Sequence, residues 1–134
     1  MNITEMLLAN DISEFRLPEK ELEIKRLSGL YKQPFIIRFR AIRPDEEEEI
    51  QRDCMTITKD GVDVDSSKMK YMTAAKCIID PDTKNKELQK KFGAPNYMEL
   101  LKKLFLIGEI TAVYDEIQEI SGYGKNKVEE VKNS

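Results

Sequence analysis

The sequence predicts an α+β fold, mostly α-helical, in which a small antiparallel β-hairpin near the N-terminus packs on a bundle of about four to five helices. Three observations predict it. Residues 97–123 keep apolar side chains at helical spacing for longer than any other stretch. Residues 21–27 and 33–42 alternate with the period of strands. The segments between and after them carry helix caps, prolines and glycines where helices start and stop.

In chain order, Ile3 to Asn10 reads as a short helix with Ile3, Met6 and Leu7 on one side. Glu21 to Leu27 alternates acid or base with Leu22 and Ile24, the pattern of a half-exposed strand. Gln33 to Ile42 sets Phe35, Ile37, Phe39 and Ala41 on one side and Ile36, Arg38, Arg40 and Ile42 on the other. Ser28 to Lys32 joins the two strands at hairpin distance. Pro44 suits a first helical turn and Asp45 to Glu49 place acid at the positive end of the helix dipole. Ile50, Cys54 and Ile57 form the inward stripe of that helix. Lys59-Asp60-Gly61 is a turn, and Asp65 caps the next helix, Ser66 to Ile79, which ends at Asp80-Pro81. Met69, Met72, Ala75 and Ile79 share its face. Asn85 to Phe92 is a short helix stopped by Gly93.

The long stretch starts at Asn96, with Glu99 three positions on completing a capping-box pattern. Met98, Leu101, Leu104 and Phe105 recur at steps of three and four, and Ile110, Val113, Tyr114, Ile117 and Ile120 resume the stripe. Gly108 inside the pattern predicts a break between two linked helices. The organisation read from the chain is one domain over 1–122 and a mobile tail over 123–134.

Composition narrows the function. The 134 residues are 40% hydrophobic and 35% charged, with a net charge of −3, which offers no general attraction to nucleic acid or to an anionic membrane. Cys54 and Cys77 sit in apolar-periodic stretches and read as reduced, buried thiols. No apolar run reaches the length of a membrane span, and the first residues carry acids too early for a secretion signal. A cytoplasmic protein follows.

Catalytic chemistry lacks its usual residues. Without histidine there is no Ser-His or Cys-His pair and no histidine-containing zinc site. Glu46 to Glu49 are adjacent on a helix and so point in different directions. Asp60, Asp63 and Asp65 lack the spacing and closing glutamate of a calcium loop. Gly122-Tyr123-Gly124-Lys125 lacks the length and context of a phosphate loop. The reading is a protein that is not an enzyme, holds no cofactor or metal, and works by binding another protein.

Three blocks carry a resemblance to a known family. They are ELEIKRLSGLYKQPFIIRFRAI; Asp80-Pro81-Asp82 followed by Glu87-Leu88-Gln89 and Phe92-Gly93; and Glu99-Leu100-Leu101 through Leu106, Gly108-Glu109-Ile110 and Ile120-Ser121-Gly122-Tyr123. In this order and spacing the chain resembles the XkdN-like tail assembly chaperones of bacteriophages and prophages. Family members often have proline just before the Gly-Glu-Ile, where this chain has Ile107.

The resemblance implies a function. Such chaperones bind the long, aggregation-prone tape measure protein while the tail tube polymerises, act in the cytoplasm of the bacterial host and are absent from the mature virion. Many are also made as a longer frameshifted product that recruits the tail tube protein. Gly124-Lys125-Asn126 can be encoded by a run on which ribosomes slip. A client of amphipathic helices needs its apolar stripe covered in water, and Met69, Met72, Leu101, Leu104, Phe105, Ile110, Tyr114 and Ile117 are the candidate partner-binding residues. Self-association would let many weak contacts line one extended client. The alternative is a structural tail or head-completion protein retained in the virion.

Overall fold

In the computed structural model, which describes residues 2–132, the predicted class holds: a small antiparallel sheet lies against a layer of helices. The sheet has three strands in the order β1-β2-β5: β1 (Glu19–Glu23), β2 (Ile36–Arg40) and β5 (Ile78–Asp80). β1 and β2 pair antiparallel with Leu22 opposite Ile37 and Lys20 opposite Phe39. Alternation puts Ile37 and Phe39 on the inner face, fully buried, while Arg38 and Ile36 face out. Lys20 starts on that inner face and carries its ammonium past the apolar layer to Glu116, a snorkelling path.

Four helices cover the inner face: α3 (Pro44–Cys54), α4 (Ser66–Cys77), α6 (Tyr97–Leu104) and α7 (Ile107–Gln118). α4 touches the other three. Ile50 and Cys54 of α3, Ala74 and Cys77 of α4, Leu101 of α6 and Ile110, Val113 and Ile117 of α7 meet Ile37 and Phe39 in one core. The predicted caps form at Asp65 and Asn96, each accepting a backbone amide three residues on, and Asn85, read as the first residue of its helix, caps it in the same way. The Glu99 carboxylate, expected to complete a capping box, pairs instead with Lys102 at 3.5 Å. Between them, the short α5 (Lys86–Lys91) ends at Gly93, whose φ of 65° favours glycine.

Several expectations change. The connection between β1 and β2 is not a tight hairpin but a helix, α2 (Lys25–Tyr31), closed by Lys32 in the left-handed region. Ile24 and Leu27 are three apart and both buried, and that spacing is helical, not alternating. α3 ends at Cys54, so Ile57 leaves its stripe. Met55–Thr58 and Gly61–Val64 are strands β3 and β4 of a second hairpin, turning at Gly61 with φ 132°. α4 stops before Ile78, because the residues preceding Pro81 favour extended backbone and join β2 as its third strand. The break in the long stretch falls at Phe105-Leu106, and Gly108 lies in the first turn of α7.

The C-terminal end of α7 is fastened to the layer below it. Ser121 Oγ donates to Ile117 O and accepts the Ile42 amide at 2.9 Å. The Tyr123 hydroxyl donates to Glu47 at 2.9 Å, and that carboxylate pushes the phenol pKa up. Residues 133 and 134 of the predicted tail lie outside the described residues.

Two elements stand apart from the layered body. α1 (Ile3–Ala9), capped by Asn2, and the 3-10 turn Ile12–Glu14 bury no residue. The β3–β4 hairpin buries none either.

Candidate interaction surface

No catalytic constellation is assembled among the described residues. The two thiols are free and buried, Cys54 at the end of α3 and Cys77 at the end of α4, and burial pushes Cys77 up to about 12, far from a reactive thiolate. No three acidic or sulfur side chains converge as metal ligands among the described residues. The cleft between α3 and α4 has an apolar floor of Ile50, Met72, Ala75 and Tyr97. Glu49 and Lys76 at its edge face each other at 3.8 Å. Among the described residues no buried polar side-chain atom is left without a partner, so no orphaned donor or acceptor marks a ligand site.

What the body does present is an apolar surface where α2 meets the junction of α6 and α7. Leu27, Leu30 and Tyr31 fall on one face of α2, three and four residues apart. Leu27 is buried, while Leu30 and Tyr31 emerge into solvent. The Tyr31 ring stacks on Phe35 at 6.0 Å, and Phe35 meets Phe105 edge-on at 6.3 Å. Phe105 is in the core, and the next two residues, Leu106 and Ile107, are exposed at the break between α6 and α7. An aromatic ladder thus runs from the core at Phe105 to the exposed ring of Tyr31, with Leu106 and Ile107 exposed directly after its first rung and Leu30 directly before its last.

A charged clamp holds this junction rigid. Arg26 of α2 donates to Glu109 through two nitrogens, at 3.1 and 2.9 Å, and to the Leu104 carbonyl at 2.9 Å. Glu109 also accepts the Leu106 amide at 2.8 Å, so one carboxylate caps α7 and fixes α2 against it. The Arg26 hydrogen bonds, the largest effect, hold the Glu109 pKa below the usual carboxylate range. The surface therefore has an apolar centre and a polar border, the anatomy of a protein-binding patch.

The eight residues expected to meet a partner divide by burial. Leu101, Phe105, Ile110 and Ile117 lie in the core, with Leu101, Ile110 and Ile117 at 0% exposure. Met69, Met72 and Leu104 are half-buried and pack against that core, and Tyr114 is half-buried. Leu104 and Phe105 adjoin the exposed patch, whereas Leu30, Tyr31, Leu106 and Ile107 were not singled out. A signal was available for three of them: Leu30 follows Gly29, Tyr31 precedes Lys32 and Ile107 precedes Gly108.

Comparison with known proteins identifies the family. The family model described as phage XkdN-like tail assembly chaperone protein matches residues 3–132. No curated protein sequence matches the chain. The crystal structure of the protein YqbN, a structural genomics target, is similar with a TM-score of 0.58 and 22% identity, covering 84% of this chain and 97% of that one. That likeness concerns the fold. The chain belongs to the phage XkdN-like tail assembly chaperone family.

Proposed function

We propose that this tail assembly chaperone binds the tape measure protein through the patch at the junction of α2, α6 and α7, and keeps it soluble in the host cytoplasm until the tail tube encloses it. The observation that carries the reading is the ladder from Phe105 through Phe35 to Tyr31, which presents Leu30, Tyr31, Leu106 and Ile107 on a braced surface. A long client built of amphipathic helices offers an apolar stripe every turn or two, and laying such a stripe on this patch removes apolar surface from water on both sides. One patch of this size binds weakly, so many copies along the client supply the affinity and each still leaves readily. The role is non-enzymatic. In the same reading a longer frameshifted form brings the tail tube protein to the assembly, and neither form stays in the virion.

The test is co-expression with the large protein encoded downstream. Co-elution and a client that stays soluble only with this chain are expected, and Leu30→Asp with Ile107→Asp should abolish both while leaving the circular dichroism melt intact. Unchanged co-elution by that variant sinks the patch. Failure of the natural chain to co-elute, together with its presence in purified particles, sinks the chaperone–client reading and favours a structural tail protein.

A further inference from the structure

The cleft between α3 and α4 takes no part in the client patch, and its two walls differ in charge. Glu49 and Asp53 are four residues apart on α3 and so stand one turn apart along its wall. The facing wall is basic: Lys76 comes from α4 and Lys84 from the loop before α5. Only Glu49 and Lys76 meet, at 3.8 Å, an exposed pair that yields easily to another partner. Asp53 and Lys84 make no ion pair among the described residues. Between the walls the floor is apolar. Ile50 and Ala75 are buried and Met72 and Tyr97 half-buried around a cavity of about 130 Å³. An apolar cavity of about 150 Å³ takes up benzene, so this one holds a single large apolar side chain and no more. The unbranched thioether of Met72 lets the floor adapt to the shape of that side chain.

We propose that this cleft receives one apolar side chain from a partner helix whose apolar stripe is bordered by bases on one side and by acids on the other. The anchor fills the cavity, the basic border meets Glu49 and Asp53, and the acidic border meets Lys76 and Lys84. A helix with one sign of charge on both borders sets like charges against one of the walls. Turning a helix end for end exchanges its two borders, so the charges also select one direction along the cleft. The role of the cleft rests on the client-binding reading above: the patch at α2, α6 and α7 supplies apolar cover, and the cleft adds a register and a direction to the covered helix. A single anchored side chain is too small a contact to hold the client once the patch is lost.

Methyl NMR of the full chain reads the two sites separately, through Met72 and Ala75 at the cleft and through Leu30 and Ile107 at the patch. The probes are synthetic amphipathic helices of about 20 residues with a central leucine, carrying lysine on one border and glutamate on the other, or one of these on both borders. The mixed peptide is expected to move the Met72 and Ala75 signals with a dissociation constant at least about five-fold below those of the single-sign peptides at low salt, and that preference should fade at about 0.5 M salt. Replacing its central leucine by alanine should remove the Met72 shift. Lys76→Glu with Lys84→Glu makes both walls acidic and should turn the preference to the peptide with lysine on both borders. The melt should change little, because neither side chain belongs to the core. Equal constants for the three peptides overturn the proposal, as does a Met72 shift that ignores the central leucine or a double variant with the natural preference. Shifts at Leu30 and Ile107 alone leave the patch standing and sink the cleft. Shifts at Met72 and Ala75 alone uphold the cleft and count against the patch.

Discussion

α7 and α1 are both amphipathic and both capped, with apolar side chains three and four residues apart, yet α7 buries Ile110, Val113 and Ile117 while α1 buries nothing. The same contrast separates the two β-pairings. β2 places Ile37 and Phe39 under four helices, whereas β3 and β4 present Ile57 and Val62 to solvent. Periodicity reports which face of an element calls for cover. It does not report whether the cover comes from the same chain: the stripe of α7 finds it internally, whereas those of α1 and the β3–β4 hairpin stay exposed.

The comparison can be broken at its strong end first. Ile110→Asp puts a carboxylate into a site with 0% exposure and no cation to meet it, and should destabilise by more than about 4 kcal/mol, removing the cooperative melt. A folded Ile110→Asp variant would mean that α7 is as dispensable to the core as α1. The next effect is smaller. Arg40 makes a two-point bond with Glu46 at 2.8 and 2.9 Å and also donates to the Ala41 and Lys76 carbonyls, tying β2 to the start of α3 and the end of α4. Arg40→Ala should cost about 2 kcal/mol, read as a lower urea midpoint with an unchanged slope.

Acid titration tests the braces at lower amplitude. The Glu46 and Glu109 pKa values are held below the ordinary 4.5, chiefly by hydrogen bonds from Arg40 and Arg26. A carboxylate whose folded pKa is depressed adds stability that is complete above its unfolded value and is lost as pH falls through the folded one. The melting temperature should therefore hold from neutrality to about pH 5 and drop below it, and Glu46→Gln with Glu109→Gln should flatten that drop. The smallest change belongs to the projecting elements: Ile57→Asp should shift unfolding by no more than about 0.5 kcal/mol, read by urea denaturation.

Much of the body was legible because its signals are local. Asn96, Asp65 and Asn85 announce helix starts through one side-chain oxygen each, and the alternation through Ile37 and Phe39 announces the central strand. The misread parts are those that distant contacts decide. Ile78 and Ile79 continue the apolar run of α4, and pairing with β2, some forty residues earlier, together with the nearby Pro81 makes them a strand. Leu27 reads equally as the end of a strand or the inward face of a helix until α2 finds its place beside α7. The hairpin had a readable signal in the alternation of Met55-Thr56-Ile57-Thr58 before Asp60-Gly61, but the stripe of α3 extends naturally to Ile57. For the surface, spacing found the apolar stripe of α6 and α7 but not its fate. Ile110 and Ile117 are hidden by β2 and α4, while Leu106 and Ile107 escape because the helix breaks just before them.

The strand order β1-β2-β5 also sets a timetable. β2 lies in the middle of the sheet, yet one of its neighbours arrives only at Ile78 and the helix that roofs its inner face only with Ile110 to Ile117. Synthesis runs from the N-terminus, so the nascent chain holds an incompletely covered sheet until α7 clears the ribosomal tunnel. A ribosome that terminates before Ile110 releases a fragment in which Ile37 and Phe39 lack the α7 side of their cover.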